Sequence, residues 1–140
     1  ITFTSGGTEA DNWIIKTPFI DQEKIAELTT TQIEHEAVLA SAENVHKNGY
    51  KVNFVSCDHD GVTNIEDFKN SMNSNTLIAS VMYANNETGV VQPIKEISQL
   101  VKDINPQTLF HSDVVQAVAT RKIDSLRNPS LRIASNNNSL

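Results

Sequence analysis

The first residues able to do chemistry are Ser5-Gly6-Gly7-Thr8. Two glycines permit a tight turn that residues with a Cβ resist. From Thr8 the pattern turns helical as far as Lys16. A strand passing through such a turn into a helix gathers free backbone N–H groups at the positive helix end, which makes an anion site. The hydroxyls of Ser5 and Thr8 suit a phosphate. A packing joint explains this turn equally well, because glycine-rich turns are common. Further along, Glu34-His35, Asn85-Asn86-Glu87, Asp113, Gln116 and Ser135 interrupt the apolar patterning. Each also has a local role open to it. His35 and Asp113 can cap helices, Asn85-Asn86 can form a turn, Gln116 can be a surface amide and Ser135 can bond locally. His46, His59 and His111 lack the spacing to cysteine or carboxylate clusters that a metal requires, so no metal site is expected. Cys57 reads as a small structural residue with no cation nearby to activate its thiol.

The elements that must position these groups alternate. Ile1–Thr4 reads as a strand, and the helix after it places Ala10, Trp13 and Ile14 on one face before Pro18 stops it. Ile25–Thr30 reads as strand rather than helix on the strength of its threonines. A helix follows from His35 to Asn48, closed by Gly49. Lys51–Val55 alternates as a strand, and Ile65–Met72 is a short helix capped by Asn64. The nearly continuous apolar run Leu77–Tyr83 marks a central parallel strand covered on both faces. After the loop Ala84–Val91, Pro93 opens a helix to about Asp103 with Ile94, Ile97, Leu100 and Val101 inward. Thr108–Phe110 is a brief strand ending at His111-Ser112-Asp113; Val114–Ala119 is a short helix or loop; Leu131–Ala134 is a last strand. This alternation implies an α/β fold, a mostly parallel sheet flanked by helices. Ligands of such sheets lie beyond the carboxyl ends of the strands, where the polar residues above fall.

Composition narrows the classes. A formal net charge of −6 argues against nucleic acid or an anionic membrane as partner, and no apolar run approaches spanning length. One cysteine in 140 residues excludes an internal disulfide and fits a reducing compartment such as the cytoplasm. With its first residue inside a strand and its last just past an apolar stretch, the chain is expected to be an internal segment of a longer protein.

Ser5-Gly6-Gly7-Thr8-Glu9-Ala10-Asp11-Asn12, Glu34-His35-Glu36-Ala37-Val38, Asn85-Asn86-Glu87-Thr88-Gly89-Val90-Val91-Gln92 and His111-Ser112-Asp113-Val114-Val115-Gln116-Ala117-Val118 together resemble the cysteine desulfurases. These belong to the class V aminotransferase group of pyridoxal 5′-phosphate (PLP) enzymes. The blocks come in the family's order and at about its spacing. The resemblance implies that residues 1–140 are part of the large PLP-binding domain of a fold-type-I enzyme, without its N-terminal segment, lysine region and C-terminal small domain. It implies that Gly7 and Thr8 bind the phosphate, that His35 stacks on the ring and serves catalysis, and that Asp113 pairs with the ring nitrogen. Gln116 would bond the phenolic oxygen, Asn86 would touch cofactor or substrate, and Ser135 would join the cofactor site. L-cysteine is the implied substrate, a homodimer the implied assembly, and an iron–sulfur scaffold or other sulfur acceptor the implied partner.

Two departures stand out. Aligned on Leu131–Ser135, the family's Ser-x-His-Lys reads Ser135-Asn136-Asn137-Asn138, so Asn138 replaces the lysine that bonds the cofactor. The segment alone is therefore expected to be inactive. Gly7 replaces the family's commoner alanine, an exchange expected to be harmless at a backbone contact. Three other readings remain: a degenerate, non-catalytic relative, another class V aminotransferase-like enzyme, and a nucleotide-binding α/β module, which lacks Gly-x-Gly-x-x-Gly and a P-loop lysine.

Overall fold

The computed structural model describes residues 2–116 and, as backbone, 131–134. Five strands form one sheet: β1 (Glu27–Thr31), β2 (Lys51–Val55), β3 (Thr76–Ser80), β4 (Leu109–Asp113) and β5 (Leu131–Ala134). Their order is β2-β1-β3-β4-β5 and every pairing is parallel. All carboxyl ends therefore lie along one edge. The helices are α1 (Gly7–Lys16), α2 (Glu36–Lys47), α3 (Ile65–Asn70) and α4 (Ile94–Ile104). None of the described helices is long and apolar enough to cross a membrane.

Two cores cover the sheet, as the two-residue alternation of strands requires. Ile15, Leu28, Val38, Ala42, Val45 and Ile78 pack on one face. Phe68, Ala79, Ile94, Ile97, Val101 and Phe110 pack on the other. Adjacent Ile78 and Ala79 thus belong to opposite cores. The Tyr50 hydroxyl lies 2.7 Å from the Phe19 carbonyl and 3.0 Å from that of Gln22, locking the turn after α1 to the strand layer.

Several boundaries differ from the sequence reading. Residues 2–4 form no strand, and Phe3 is 81% exposed. Strand propensity stabilises only where a neighbouring strand takes up the hydrogen bonds, and among the described residues none lies beside them. The inner face of α1 is Gly7, Asp11 and Ile15, while Trp13 is 51% exposed and Ala10 and Ile14 are half-buried. Glycine and aspartate carry no hydropathy signal, so periodicity placed the apolar face one residue out of phase. β1 starts at Glu27, leaving Ile25 exposed, and all five of its residues are buried. The strand expected at Thr108–Phe110 runs on to Asp113, because His111, Ser112 and Asp113 are themselves buried in the sheet. β3 ends at Ser80 although the apolar run continues. Val81 and Tyr83 still donate N–H bonds to the His111 and Asp113 carbonyls at 3.1 and 2.8 Å. Beyond Val114–Gln116, the Val114–Ala119 segment lies outside the described residues.

Candidate functional site

A cavity of about 490 Å³ opens along the carboxyl edge of the sheet. It is lined by Gly7, Thr8, His35, Asn86, Asp113 and Gln116, all six expected site residues that fall among the described residues. Ser135 and Asn138 lie outside the described residues. Asp11 joins the lining without having been expected there.

The start of α1 forms one end. Its N-cap, Gly6, has extended backbone (φ 167°, ψ 177°), and no side chain caps the helix. Neither Gly6 nor Gly7 adopts a left-handed conformation, so the turn does not need glycine for its dihedral angles. Gly7 is needed for space: a Cβ there would sit 3.0 Å from Val115 Cγ2. An alanine methyl fits there only if the Val115 side chain gives by a few tenths of an ångström. Gly7→Ala is expected to cost about 1 kcal/mol through overpacking. Most of that should vanish in a Val115→Ala background, a coupling that urea unfolding of the four proteins measures. The uncapped helix start leaves its first N–H groups without acceptors inside the helix. The Ser5 N–H and hydroxyl already hold an anionic oxygen, Glu9 Oε2, at 2.6 and 2.7 Å. The Ser5 hydroxyl first, and its N–H second, hold the Glu9 carboxyl below its ordinary range.

His35 caps α2, its Nδ1 accepting the Ala37 N–H at 3.1 Å. That bond fixes the ring orientation and leaves Nε2 to carry the proton of the neutral ring. Both the capping role and a place in the cavity are real. Asn85 and Asn86 divide the work of their loop. Asn85 Oδ1 accepts from the Glu87 and Thr88 N–H groups at 2.9 Å each, and its Nδ2 donates to the Ile33 carbonyl at 2.9 Å. Gly89, at φ 75°, completes the turn. Asn86 is thereby left exposed at the cavity.

Asp113 ends β4, buried, with Oδ1 accepting the Val115 N–H at 2.9 Å. Burial pushes its carboxyl up, and the nearby Asp11 carboxylate adds to this against the Val115 N–H and the two imidazoles, His111 and His35. Asp11, His35 and Asp113 each offer a ligating atom within 4.8 Å of the others. Sequence spacing revealed no such grouping. Beneath them His111 is fully buried, its Nδ1 2.8 Å from Ser80 Oγ. Glu34 is buried next to His35. Its Oε1 accepts the Thr31 hydroxyl at 2.7 Å and the Met82 N–H at 2.8 Å. Burial drives the Glu34 carboxyl up to about 7. The buried polar atoms without hydrogen-bond partners among the described residues are Asp11 Oδ1, Thr30 Oγ1, Glu34 Oε2, His111 Nε2 and Ser112 Oγ. They sit on α1, near the carboxyl ends of β1 and β4, or, for Glu34, in the turn after β1. Such groups are rare in structural cores and concentrate where a ligand completes the bonding.

The profile described as Aminotransferase class-V matches residues 1–127. The chain belongs to this family. Its members are PLP-dependent. The match stops short of the segment carrying Ser135 and Asn138. The cysteine desulfurase IscS of Clostridium botulinum is 46% identical over 125 residues, which is 89% of this chain and 31% of that protein. A solved NifS-like protein superposes with a TM-score of 0.79 at 39% identity, over 84% of this chain and 32% of that one. SspA, solved in complex with cysteine, gives 0.75 at 29% identity, over 81% and 33%. The chain thus spans about a third of the length of the relatives it matches.

Proposed function

We propose that residues 1–140 are part of the large PLP-binding domain of a cysteine desulfurase. The whole protein would take sulfur from L-cysteine, release L-alanine and pass the sulfur, as a persulfide on a cysteine, towards iron–sulfur cluster assembly. One observation carries this: Gly7, Thr8, His35, Asn86, Asp113 and Gln116, drawn from four separate stretches, line a single cavity. The residues suit the cofactor. An uncapped helix start fits its phosphate, and the Ser5 turn already donates to an anionic oxygen. The buried Asp113 carboxylate, beside Asp11, lacks a strong cationic partner among the described residues and fits a protonated ring nitrogen. When bound, PLP supplies an electron-poor ring that accepts the electrons of a bond broken at the amino acid's α-carbon.

The chain's own residues hold and orient. Gly7 and Thr8 would grip the phosphate, His35 would cover the ring face, and Gln116 and Asn86 would bond the ring oxygen and the substrate. Asp113 would keep the proton on the ring nitrogen. L-cysteine as substrate is supported by the cysteine-bound SspA relative. A homodimer, a sulfur-accepting scaffold and a reducing compartment, cytoplasm or mitochondrion, belong to the same reading.

Asn138 supports a second reading, that of a degenerate relative, because an amide cannot form the bond to the cofactor's aldehyde that lysine makes. The full-length protein with PLP and L-cysteine separates the two. With a thiol reductant present to discharge the persulfide, alanine and sulfide released in equal amounts are expected of the desulfurase. PLP binding without alanine identifies the degenerate relative.

A further inference from the structure

Asp11 has no part in the cofactor contacts above, yet it is 1% exposed and lines the cavity. It lies on the inner stripe of α1, four residues beyond Gly7. Its Oδ1 is 3.4 Å from His111 Nε2. Neither atom makes an aligned hydrogen bond, so the contact is a close charge-to-ring approach and not a closed bond. His111 is anchored from behind by Ser80 Oγ at 2.8 Å. Ser80 and His111 are register partners on β3 and β4, and Asp113 follows two residues later on the same face of β4. The chain Ser80–His111–Asp11 thus runs from the sheet to the helix that offers the phosphate seat. Asp11 and Asp113 crowd one small buried space, an arrangement that favours a positively charged group beside them.

We propose that Asp11 is a positioning residue of this site: through His111 it ties the anion-binding helix start to β4, and beside Asp113 it makes the cavity select a phosphorylated aromatic ring bearing a protonated nitrogen. The proposal rests on the cofactor reading above. The charges facing Asp11 among the described residues are His111 and Asp113 on β4 and His35 at the start of α2, with Glu34 beyond them.

The test uses the full-length protein and two probes: pyridoxine 5′-phosphate, which has the ring nitrogen and no aldehyde, and phenyl phosphate, which has neither. Asp11→Asn keeps size and removes one charge. It is expected to weaken pyridoxine 5′-phosphate roughly tenfold, less than loss of a direct buried charge partner because Asp11 acts through His111 and Asp113, and to leave phenyl phosphate within about twofold. The acid limb of the pyridoxine 5′-phosphate affinity profile should also move to lower pH, because Asp113 loses the negative neighbour that raises it. Equal weakening of both probes with an unmoved limb gives Asp11 a structural role only and overturns the proposal. A wild-type protein that binds pyridoxine 5′-phosphate no better than phenyl phosphate overturns the cofactor reading instead. Should Asp11→Asn not fold, Ser80→Ala decides by releasing His111 from behind. A drop of about two- to fivefold in the affinity ratio of the two probes is expected, on the scale of one neutral hydrogen bond, and an unchanged ratio overturns the proposal.

Discussion

Asparagine in place of Asp113 is expected to weaken pyridoxine 5′-phosphate by roughly a hundredfold, the scale for removing one partner of a buried charge pair. The same substitution should raise the unfolding midpoint of the ligand-free protein. The two effects have one origin. Asp113 is buried at the end of β4, and burial, aided by the Asp11 carboxylate, lifts its carboxyl above the ordinary range. A group whose folded-state value is raised gives most stability at low pH and loses it as pH rises through that value. At neutral pH the ionised Asp113 therefore weighs against the empty fold. An asparagine oxygen in the same place still accepts the Val115 N–H, so the turn after β4 is kept while the charge goes. Titration of the probe and a thermal melt of the empty protein, both at pH 7.5, check the two signs together. Unchanged affinity would mean that the carboxylate does not face the ring nitrogen. A lowered midpoint would mean that its charge serves the fold.

What the chain disclosed about itself follows physical lines. Ile94, Ile97 and Val101 repeat at helical spacing, so α4 was visible within a residue or so at each end. The apolar run at Leu77–Tyr83 announced a central strand because parallel strands are covered on both sides. The expected cofactor residues converge because parallel strands deliver all their carboxyl ends to one edge. Asp11 and His111 stayed hidden for a different reason. A polar residue in an amphipathic helix reads as solvent-facing, and a histidine in a short strand reads as the strand's end. Only tertiary contact turned both inward, against each other. β1 shows the same limit, since Glu27 and three threonines in a fully buried strand depend on distant partners. Glu27 Oε2 is met by Lys51 at 3.0 Å and by Asn53 and Asn73 at 3.1 Å each. No local pattern carries that information.

Glu34 gives the second large effect, and here the readout is stability alone. Its carboxyl is 5% exposed and raised by burial from 4.5 to about 7, with His111 and Asp113 as its charged neighbours. In the unfolded chain it ionises near its ordinary value, while in the folded chain it keeps its proton. Its contribution to stability is therefore greatest below about 4.5, declines as pH rises, and is flat above about 7. At 1.36 kcal/mol for each pH unit, the loss across that window is roughly 3 kcal/mol. Glu34→Gln preserves an oxygen for the Thr31 hydroxyl and the Met82 N–H and cannot ionise. The variant and the wild type should thus match near pH 4.5 and separate steadily, with the variant more stable by roughly 3 kcal/mol at pH 8. Asp113 titrates in both proteins and is coupled to Glu34, so the difference reports the ionisation of Glu34 together with its coupling to Asp113. Urea midpoints at half-unit steps of pH supply the measurement, and parallel curves would show that Glu34 is already ionised in the folded chain. The position of the residue gives the result a functional edge. Glu34 links the end of β1 to the Met82 N–H just past β3, and the next residue, His35, caps α2, so ionisation above neutrality places a buried charge in the turn that leads into that cap.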